Sequence, residues 1–405
     1  MNIDTVRSRF PALNASQAIY ADNAGGTQVL DSVIDHVSEY YRSTNAQLGG
    51  LYPVSKSSAD AVQAGLVAGA SFIHADPSEV VFGSSTTQLF TNLSLVLDLS
   101  AGDELIVSEM DHEANIAPWH RIAAIRGCRV IPWKVRRDTE ALHLDDLRGL
   151  LSDQTRLVTV THSSNMLGTI NPVKEIAALV HAHSSARVVV DGVAFAPHRL
   201  IDVQDLGVDF YCFSWYKVYG PHIAMLYASN AAQSSLGTLK HYFHDGDDLS
   251  TRLGLAGNAY ELQSSIPEVV GYLSTVDPAG SRDQRTSLQS SFDSIAQHEE
   301  ALQTIILNHL LSRPDTFRVW GSKSVSRHDR MPLISFTVTG VKSSDVVARI
   351  LANSQFGIRN GHMYSKRLMD HLGCDPAEYA IRISLCHYNS LEEAQDFVAI
   401  LKQVI

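Results

Sequence analysis

The stretch that decides the fold is residues 188–221, which read VVVDGVAFAPHRLIDVQDLGVDFYCFSWYKVYGP. It opens with three consecutive valines, a β-branched run that is typical of a strand buried on both faces of a sheet. The run ends at Asp191, and a second strand-like run, residues 208–214, leads to Lys217. The stretch therefore predicts two strands of an α/β sheet, with a carboxylate after the first and an amine just after the second.

An acid and a lysine in this order indicate a specific cofactor chemistry. Lys217 follows Asp191 by 26 positions (217 − 191). A lysine amine can carry the aldehyde of pyridoxal phosphate as a Schiff base, and a carboxylate can pair with the protonated pyridine nitrogen so that the ring withdraws electrons. The pair predicts a pyridoxal phosphate site in which Lys217 and Asp191 are catalytic residues.

Bulk properties narrow the class of protein. A chain of 405 residues suits two domains, and a net charge of −11 argues against a nucleic-acid partner. The four cysteines show no C-x-x-C spacing, which argues against a metal site and a disulfide framework and favours a reducing compartment. No apolar run reaches membrane-spanning length, and the N-terminus is too polar for a secretory signal. We expect a cytoplasmic protein with no membrane partner and no metal.

Further motifs occur along the chain in a fixed order. Residues 20–26 read YADNAGG, residues 83–87 read GSSTT before a predicted helix, and residues 109–115 read EMDHEAN. Residues 163–169 read SSNMLGT, and residues 379–384 read YAIRIS. Together with Asp191 and Lys217, these motifs resemble those of the class V aminotransferase family of fold-type-I pyridoxal phosphate enzymes, in its cysteine desulfurase-like branch. The resemblance covers nearly the whole chain.

The resemblance implies an architecture. It predicts an α/β protein with a large cofactor-binding domain, residues 16–265, built on a mostly parallel seven-stranded sheet between helices. Residues 1–15 and 266–405 are predicted to form a small α+β domain. Members of the family are homodimers with shared active sites, and the loops at residues 45–52 and 254–258 are the candidate intersubunit loops here. Ala256 replaces a threonine of the family's second loop, so one phosphate contact across the dimer is lost or supplied otherwise.

The resemblance also assigns roles to single residues. His112 is expected to stack on the pyridine ring and to move protons, which makes it a third catalytic candidate, and Asn165 is expected to bond the cofactor's phenolic oxygen. A helix N-terminus with hydroxyl side chains binds phosphate well. The predicted phosphate contacts are Ser85, Thr86, Thr87, Ser214 and Tyr216.

Substrate contacts are predicted in four places. Arg382 matches the arginine that holds the substrate carboxylate, and a planar guanidinium suits a carboxylate better than an ammonium does. Asn23 lies in a loop that lines the family's active site, while His362 and Tyr364 lie in the loop of the nucleophile. The predicted partner is accordingly a small amino-acid-type substrate.

The chain departs from the desulfurases at the nucleophile. A desulfurase needs a cysteine thiolate to take sulfur from its substrate. The corresponding phrase is RNGHMYS at residues 359–365, with Tyr364 at the cysteine position. Cys374 lies ten residues further on (374 − 364) and could serve only if the loop were rebuilt. Desulfurase activity is therefore disfavoured.

The fate of the reacting carbon stays open at this point. The phrases DNAGG and DHEANIAPW are similar to those of fungal loline-type pyridoxal phosphate cyclases, which implies carbon–carbon bond formation by Mannich-type cyclisation in specialised, alkaloid-type metabolism. The alternatives are a cysteine desulfurase or lyase, an aminotransferase or epimerase, and a non-catalytic binding protein of the same fold. The chain contains Lys217, Asp191 and Arg382 together. This favours an enzyme over a binding protein, since a binding module has no need of all three.

Overall fold

The computed structural model describes residues 1–277 and 281–405, and its centre is a sheet of strands buried on both faces. Val188, Val189 and Val190 are fully buried, as their β-branched run predicts. The strands of the described residues, in chain order, are β1 (Ile19–Tyr20), β2 (Val80–Gly83), β3 (Glu104–Ser108), β4 (Arg129–Trp133), β5 (Thr155–Thr161), β6 (Arg187–Asp191), β7 (Phe210–Ser214), β8 (Ala224–Ala228), β9 (Phe317–Trp320), β10 (Leu333–Val338), β11 (Phe356–Gly357), β12 (Arg359–Gly361) and β13 (Ala380–Ser384).

The large sheet has seven strands in the order β2-β8-β7-β6-β5-β3-β4. Strand β8 is antiparallel to both of its neighbours, and the other pairs are parallel. Parallel neighbours need crossover connections, which place helices on both faces of the sheet. Two apolar clusters, one on each face, form its core. This mostly parallel sheet confirms the predicted fold class.

Helices cover the sheet and continue into the C-terminal part. The helices of the described residues are α1 (Ile3–Ser8), α2 (Pro11–Ala15), α3 (Asp31–Glu39), α4 (Pro53–Phe72), α5 (Thr86–Val96), α6 (Ala117–Arg126), α7 (Leu144–Leu150), α8 (Val173–His183), α9 (Val203–Leu206), α10 (Asn230–Gln233), α11 (Leu249–Leu253), α12 (Tyr260–Gln263), α13 (Ile266–Leu273), α14 (Gln284–Leu311), α15 (Ser343–Asn353), α16 (Lys366–His371) and α17 (Leu391–Val404). Within the ranges that the structure describes, we find no helix with the length and apolar character needed to cross a membrane.

The C-terminal part is built on a four-stranded antiparallel sheet, β12-β13-β10-β9, packed against α14, α15 and α17. Strand β1 pairs in parallel with β11, so residues 19–20 are tied to this part of the molecule. The ring of Phe10 contacts both Tyr219, close to Lys217, and Tyr388 near the C-terminus. The predicted domain division at residues 15/16 and 265/266 stays a prediction.

The edge of the large sheet positions the predicted site. Strands β2, β3, β5, β6 and β7 run in the same direction, so their carboxyl ends lie together at one edge. Ligand sites of open α/β sheets are found outside these carboxyl ends. The predicted cofactor residues all lie at these ends or in the few residues after them, and the topology therefore gathers them in one place.

Candidate active site

A cavity with an empty volume of about 510 Å³ lies at this edge. Every residue that the sequence predicted to hold the cofactor lines it. These residues are Lys217, Asp191, His112, Asn165, Ser85, Thr86, Thr87, Ser214 and Tyr216, and Ala114, Thr161, Val193 and Ala194 complete the lining.

Lys217 is buried at the end of a short 3₁₀ turn, Trp215–Lys217, that follows β7. Burial, and then the neighbouring Arg382, lower the pKa of Lys217 to about 8, while Asp191 and Asp22 act in the opposite direction. An amine with a pKa near 8 is neutral in an appreciable fraction of molecules at neutral pH. Lys217 is therefore suited to act as a nucleophile or as a general base.

The backbone after Lys217 is fixed by side-chain contacts. Tyr219 has a φ of +61°, a left-handed conformation that is uncommon for a residue other than glycine. Its N–H donates to Oγ1 of Thr27 at 2.9 Å, and its hydroxyl donates to the carbonyl of Pro197 at 2.8 Å. These bonds hold the turn and, with it, the direction of Lys217.

Two buried carboxyl groups interact electrostatically at this edge of the sheet: Asp191 ends β6, and Asp111 follows β3. Oδ1 of Asp191 accepts the N–H of Val193 at 2.9 Å, and Asp111 accepts bonds from Nδ2 of Asn115 and the N–H of Thr161. Burial raises the pKa of Asp191 to about 6. Burial, and then Asp191, raise the pKa of Asp111 to about 8. A positive group bound against Asp191 would offset the cost of burying its ionised carboxylate, and a protonated pyridine nitrogen is such a group.

The raised pKa of Asp111 predicts a pH-dependent stability difference. Above about pH 4 the folded state keeps a proton on Asp111 that the unfolded state releases. The stability that this bound proton gives the folded state is therefore lost as pH rises through the folded pKa of about 8. Asp111→Asn should therefore gain stability relative to wild type between pH 5 and 7.5, at up to about 1.4 kcal/mol per pH unit for one linked proton. Urea unfolding of both proteins at each pH measures it.

The comparison with wild type at each pH is essential because buried histidines act in the opposite sense. Burial lowers the pKa of His162 and of His387 to about 3, so each loses stability as pH falls below the unfolded value near 6.5. Taking the difference between the two proteins removes that shared trend. A difference that stays constant with pH would contradict a protonated Asp111.

The N-terminus of α5 lines the end of the cavity that is predicted to hold the phosphate. Ser85 caps the helix by accepting the N–H of Gln88, and Oγ1 of Thr86 lies 2.7 Å from Oγ of Ser214 at the end of β7. Free N–H groups and hydroxyls at the start of an 11-residue helix form an anion site. Tyr216 completes this side, with its ring stacked at 4.7 Å on that of His222.

His112 is sandwiched between the cavity and the loop at residues 362–365. The ring of Tyr364 stacks on it with centroids 5.0 Å apart and planes 28° apart. Burial, and then Lys217 and Arg382, lower the pKa of His112 to about 4, and its Nδ1 accepts the N–H of Ala114. His112 is thus a neutral ring at physiological pH, held flat against the cavity.

The loop of Tyr364 is held by Asn165. Nδ2 of Asn165 donates to the carbonyl of Met363 at 2.8 Å, and its Oδ1 accepts the hydroxyl of Ser365 at 2.8 Å. Met363 and Tyr364 have φ values of +44° and +63°, so two successive residues adopt the left-handed region. The strained turn leaves 69% of Tyr364 exposed, above the ring of His112.

Arg382 lies on β13, behind Asn165. Its Nη1 donates to the carbonyl of Asn165 at 3.1 Å, and its Nη2 donates to Oδ1 of Asp22 at 2.8 Å. The other carboxylate oxygen of Asp22 forms an ion pair with Arg359. The predicted carboxylate receptor is therefore engaged by a carboxylate of the protein itself.

None of the four residues predicted to contact substrate lines this cavity: Arg382, Tyr364, Asn23 and His362 all lie outside its lining. Nδ2 of Asn23 donates to the carbonyls of Tyr20 and Ser384, and its Oδ1 accepts the hydroxyl of Tyr388. Nδ1 of His362 accepts the N–H of Tyr364. Both side chains thus shape the loops around the site, and their predicted contact with substrate stays a prediction.

The residues present fit pyridoxal phosphate. The cavity offers a buried amine of lowered pKa for the aldehyde, a buried carboxylate for the ring nitrogen, a flat imidazole for the ring face and a helix N-terminus for the phosphate. Lys217, Asp191, His112 and the Ser85–Thr87 turn would hold these four parts. The cofactor would supply an electron-withdrawing ring to whatever amine substrate it binds.

Comparison with known proteins shows which family this chain belongs to. The family model described as Aminotransferase class-V matches residues 19–397. The chain belongs to the class-V aminotransferase family. Pyridoxal phosphate is its cofactor, in agreement with the residues that line the site.

Curated relatives place the chain within the desulfurase-like branch of the family. It is 44% identical to "Aminotransferase-like protein FGM3" of Gibberella zeae, over 100% of this chain and 98% of that protein. It is 37% identical to "Cysteine desulfurase-like protein ustD" of Aspergillus flavus, over 100% and 91% of the two chains. A cysteine desulfurase structure from Thermococcus onnurineus has the same fold, with a TM-score of 0.88 at 24% identity over 100% and 98% of the chains.

None of the four cysteines lines the cavity, although Cys212 lies behind it, against Thr86 and Asp191. Cys374 is 4% exposed in an apolar cluster, and burial raises the pKa of its thiol to about 11. Burial also raises the pKa of Cys212 and Cys386 well above the usual value, and that of Cys128 to a smaller extent. A nucleophilic cysteine needs a lowered pKa and access to substrate. None of the four has both.

Sequence reasoning missed two members of the site, Asp22 and Arg359. Asp22 lies in the DNAGG phrase, whose family counterpart is known to line the site, and this was the available signal. Arg359 opens the RNGHMYS phrase, in which Tyr364 occupies the position of the desulfurase cysteine. Their pairing with Arg382 depends on strand register, which single motifs do not reveal.

Proposed function

We propose that this protein is a pyridoxal phosphate-dependent enzyme that breaks a bond at Cα of an α-amino acid and forms a new carbon–carbon bond there, without releasing sulfur. One observation carries this proposal. The amine of Lys217, the carboxylate of Asp191 and the α5 N-terminus line a single cavity that contains no thiol among the described residues. Asp191 and Lys217 supply acid–base and electrostatic function, while the stacked tyrosine stands where desulfurases have their nucleophile.

The roles of the chain's residues follow from their surroundings. Pyridoxal phosphate, when bound, supplies a ring that withdraws the electrons left at Cα. Lys217, with its pKa near 8, accepts the Cα proton at Nζ and returns a proton to the product. The carboxylate of Asp191 stabilises positive charge on the ring nitrogen, and the neutral ring of His112 covers the ring face and excludes water.

The most specific form of the proposal is a Mannich-type ring closure. In it, the electron pair at Cα attacks the carbon of an iminium group in the same substrate, so that a carbon–carbon bond forms and the iminium nitrogen becomes a neutral amine. The support for this form is the similarity of DNAGG and DHEANIAPW to loline-type cyclases, together with relatives from two fungi. Transamination and epimerisation share the same first step and are the competing outcomes.

A panel of amino acids tests the proposed function. The purified holoprotein is incubated with each amino acid in deuterium oxide, and mass spectrometry follows deuterium at Cα, keto acids and new carbon–carbon products. We expect Cα exchange with the accepted substrate and no stoichiometric keto acid. Keto-acid formation as the main product would replace the proposal with transamination, and a protein that exchanges nothing would support the non-catalytic alternative.

L-Cysteine provides a separate prediction. Because Tyr364 stands at the nucleophile position and the thiol of Cys374 is buried with a raised pKa, we expect sulfide release no faster than that of Lys217→Ala. Sulfide and alanine are measured after incubation of holoprotein with L-cysteine. Rapid release that disappears in Cys374→Ala would restore the desulfurase alternative.

A homodimer that completes the site is the proposed assembly. The candidate loops expose apolar side chains that a monomer leaves in water: Leu51 is 88% exposed, Tyr52 53% and Leu255 50%. A closed two-fold dimer is the commonest soluble oligomer. We expect a dimer in analytical ultracentrifugation, weakened by Leu51→Asp and unaffected by Leu351→Asp, which alters a leucine on α15 that is 51% exposed. An active monomer would contradict this assembly.

A further inference from the structure

Two arginines face each other across neighbouring strands beside the cavity. Arg359 on β12 and Arg382 on β13 are directly paired in the antiparallel register. Like charges in this position destabilise a sheet unless a counterion lies between them. Asp22 is bridged in parallel to Ser384 at the end of β13, and its two carboxylate oxygens bond Arg382 and Arg359, one each.

The hydrogen bonds of Arg382 leave one buried donor unused. Its side chain is 3% exposed, Nη1 bonds the carbonyl of Asn165, and Nη2 bonds Asp22. Nε is buried and has no partner among the described residues. Nε and Nη2 form one edge of the guanidinium plane, the edge that grips a carboxylate with two parallel bonds. Asp22 accepts a bond from Nη2 only. Nε, a buried donor, is left without a partner, which costs free energy.

The charges of the cluster match one further carboxylate. Two guanidinium groups and one carboxylate leave a net charge of +1, which a single substrate carboxylate neutralises. The side chain of Arg359 is 57% exposed, and with Asp22 and Tyr216 it lines a second cavity next to the Lys217 cavity. Arg359 can therefore keep Asp22 paired while Arg382 accepts another partner.

We propose that Asp22 is an exchangeable counterion that controls carboxylate binding, and that Arg359 is the residue that receives it. The arriving substrate carboxylate takes the Nε–Nη2 edge of Arg382 with two bonds, and Asp22 shifts its pairing to Arg359. Asp22 and Arg359 are thus specificity-determining residues that act through Arg382. This inference rests on the proposed function, in which Arg382 binds the carboxylate of an amino acid.

Binding of acetate to the holoprotein tests the exchange without turnover. Thermal stabilisation as a function of acetate concentration gives its Kd, and acetamide is the neutral comparison. In Asp22→Asn the competing carboxylate is gone, so acetate should bind about tenfold more tightly. In Arg359→Gln the released Asp22 has no second partner, so acetate should bind about tenfold more weakly. Asp146→Asn, which removes the carboxylate from a surface arginine pair, should behave as wild type.

Turnover measurements and a third variant, Arg382→Gln, distinguish failure of the counterion exchange from failure of the proposed function. With the accepted amino acid, Arg359→Gln should raise KM and leave kcat unchanged, because Arg359 does not contact the reacting atoms. Unchanged acetate affinity in Asp22→Asn and in Arg359→Gln, while Arg382→Gln loses binding, would overturn the exchange and leave the proposed function standing. Acetate binding that survives in Arg382→Gln would overturn both. If Asp22→Asn does not fold, Arg359→Gln alone decides.

Discussion

Lys217→Ala is expected to lower kcat/KM by at least about 10³-fold, the range in which a positioned proton-transfer group acts. The variant removes the amine that we propose holds the cofactor aldehyde and carries the Cα proton. Burial lowers the pKa of that amine to about 8, and no other lysine lines the cavity within the described residues. The rate of Cα deuterium exchange in the accepted amino acid, at equal cofactor content, measures the effect.

Two controls keep this prediction specific. Lys174→Ala removes an exposed lysine that pairs with Asp205 on the surface, and it should leave exchange unchanged. Adding a small primary amine to Lys217→Ala should restore part of the lost rate, because the amine replaces the missing proton carrier. Exchange by Lys217→Ala within tenfold of wild type would show that another group removes the proton.

Arg382→Lys should lower kcat/KM by at least about tenfold, which corresponds to about 1.4 kcal/mol. The guanidinium offers Nε and Nη2 to a carboxylate at once, while an ammonium is a single point charge on a flexible chain. In the proposed function this contact also sets the orientation of the Cα bonds against the ring, so both kcat and KM should change. Steady-state kinetics with the accepted amino acid measures it.

Cofactor binding is the internal control for Arg382→Lys. Lys217, Asp191 and the Ser85–Thr87 turn are unaltered, so the variant should bind pyridoxal phosphate as wild type does. Arg136→Lys provides a matched variant, since Arg136 forms a two-bond pair with Asp146 away from the site. Normal turnover by Arg382→Lys, or a simple amine as the true substrate, would contradict the assignment of Arg382.

The sheet could be predicted from the sequence because its signals are local. The valine run before Asp191 and the run at residues 208–214 form β6 and β7 within two residues of the expected bounds. The strand order is not local information, because it depends on which crossover each helix makes. The resemblance supplied a mostly parallel sheet of seven strands, which the structure confirms, but it did not supply their order.

For the candidate site, too, the sequence predicted what depends on local motifs and missed what depends on strand register. Residues that follow strand ends, such as Asp191, Asn165 and Lys217, were found from motifs, since one edge of a parallel sheet gathers them. The Asp22–Arg382 pair was not found, because it requires the register of β12 on β13 and the bridge between Asp22 and Ser384. The stacking of Tyr364 on His112 requires left-handed backbone at Met363 and Tyr364 in succession. Nothing in the sequence RNGHMYS predicts this conformation.

The most direct measurement of the central claim is borohydride reduction of the holoprotein followed by peptide mapping. The account predicts a pyridoxyl group on Lys217 alone, with addition of the accepted amino acid before reduction diverting the label from the protein to the small molecule. A label on another lysine, or a protein that takes up no pyridoxal phosphate, would contradict it.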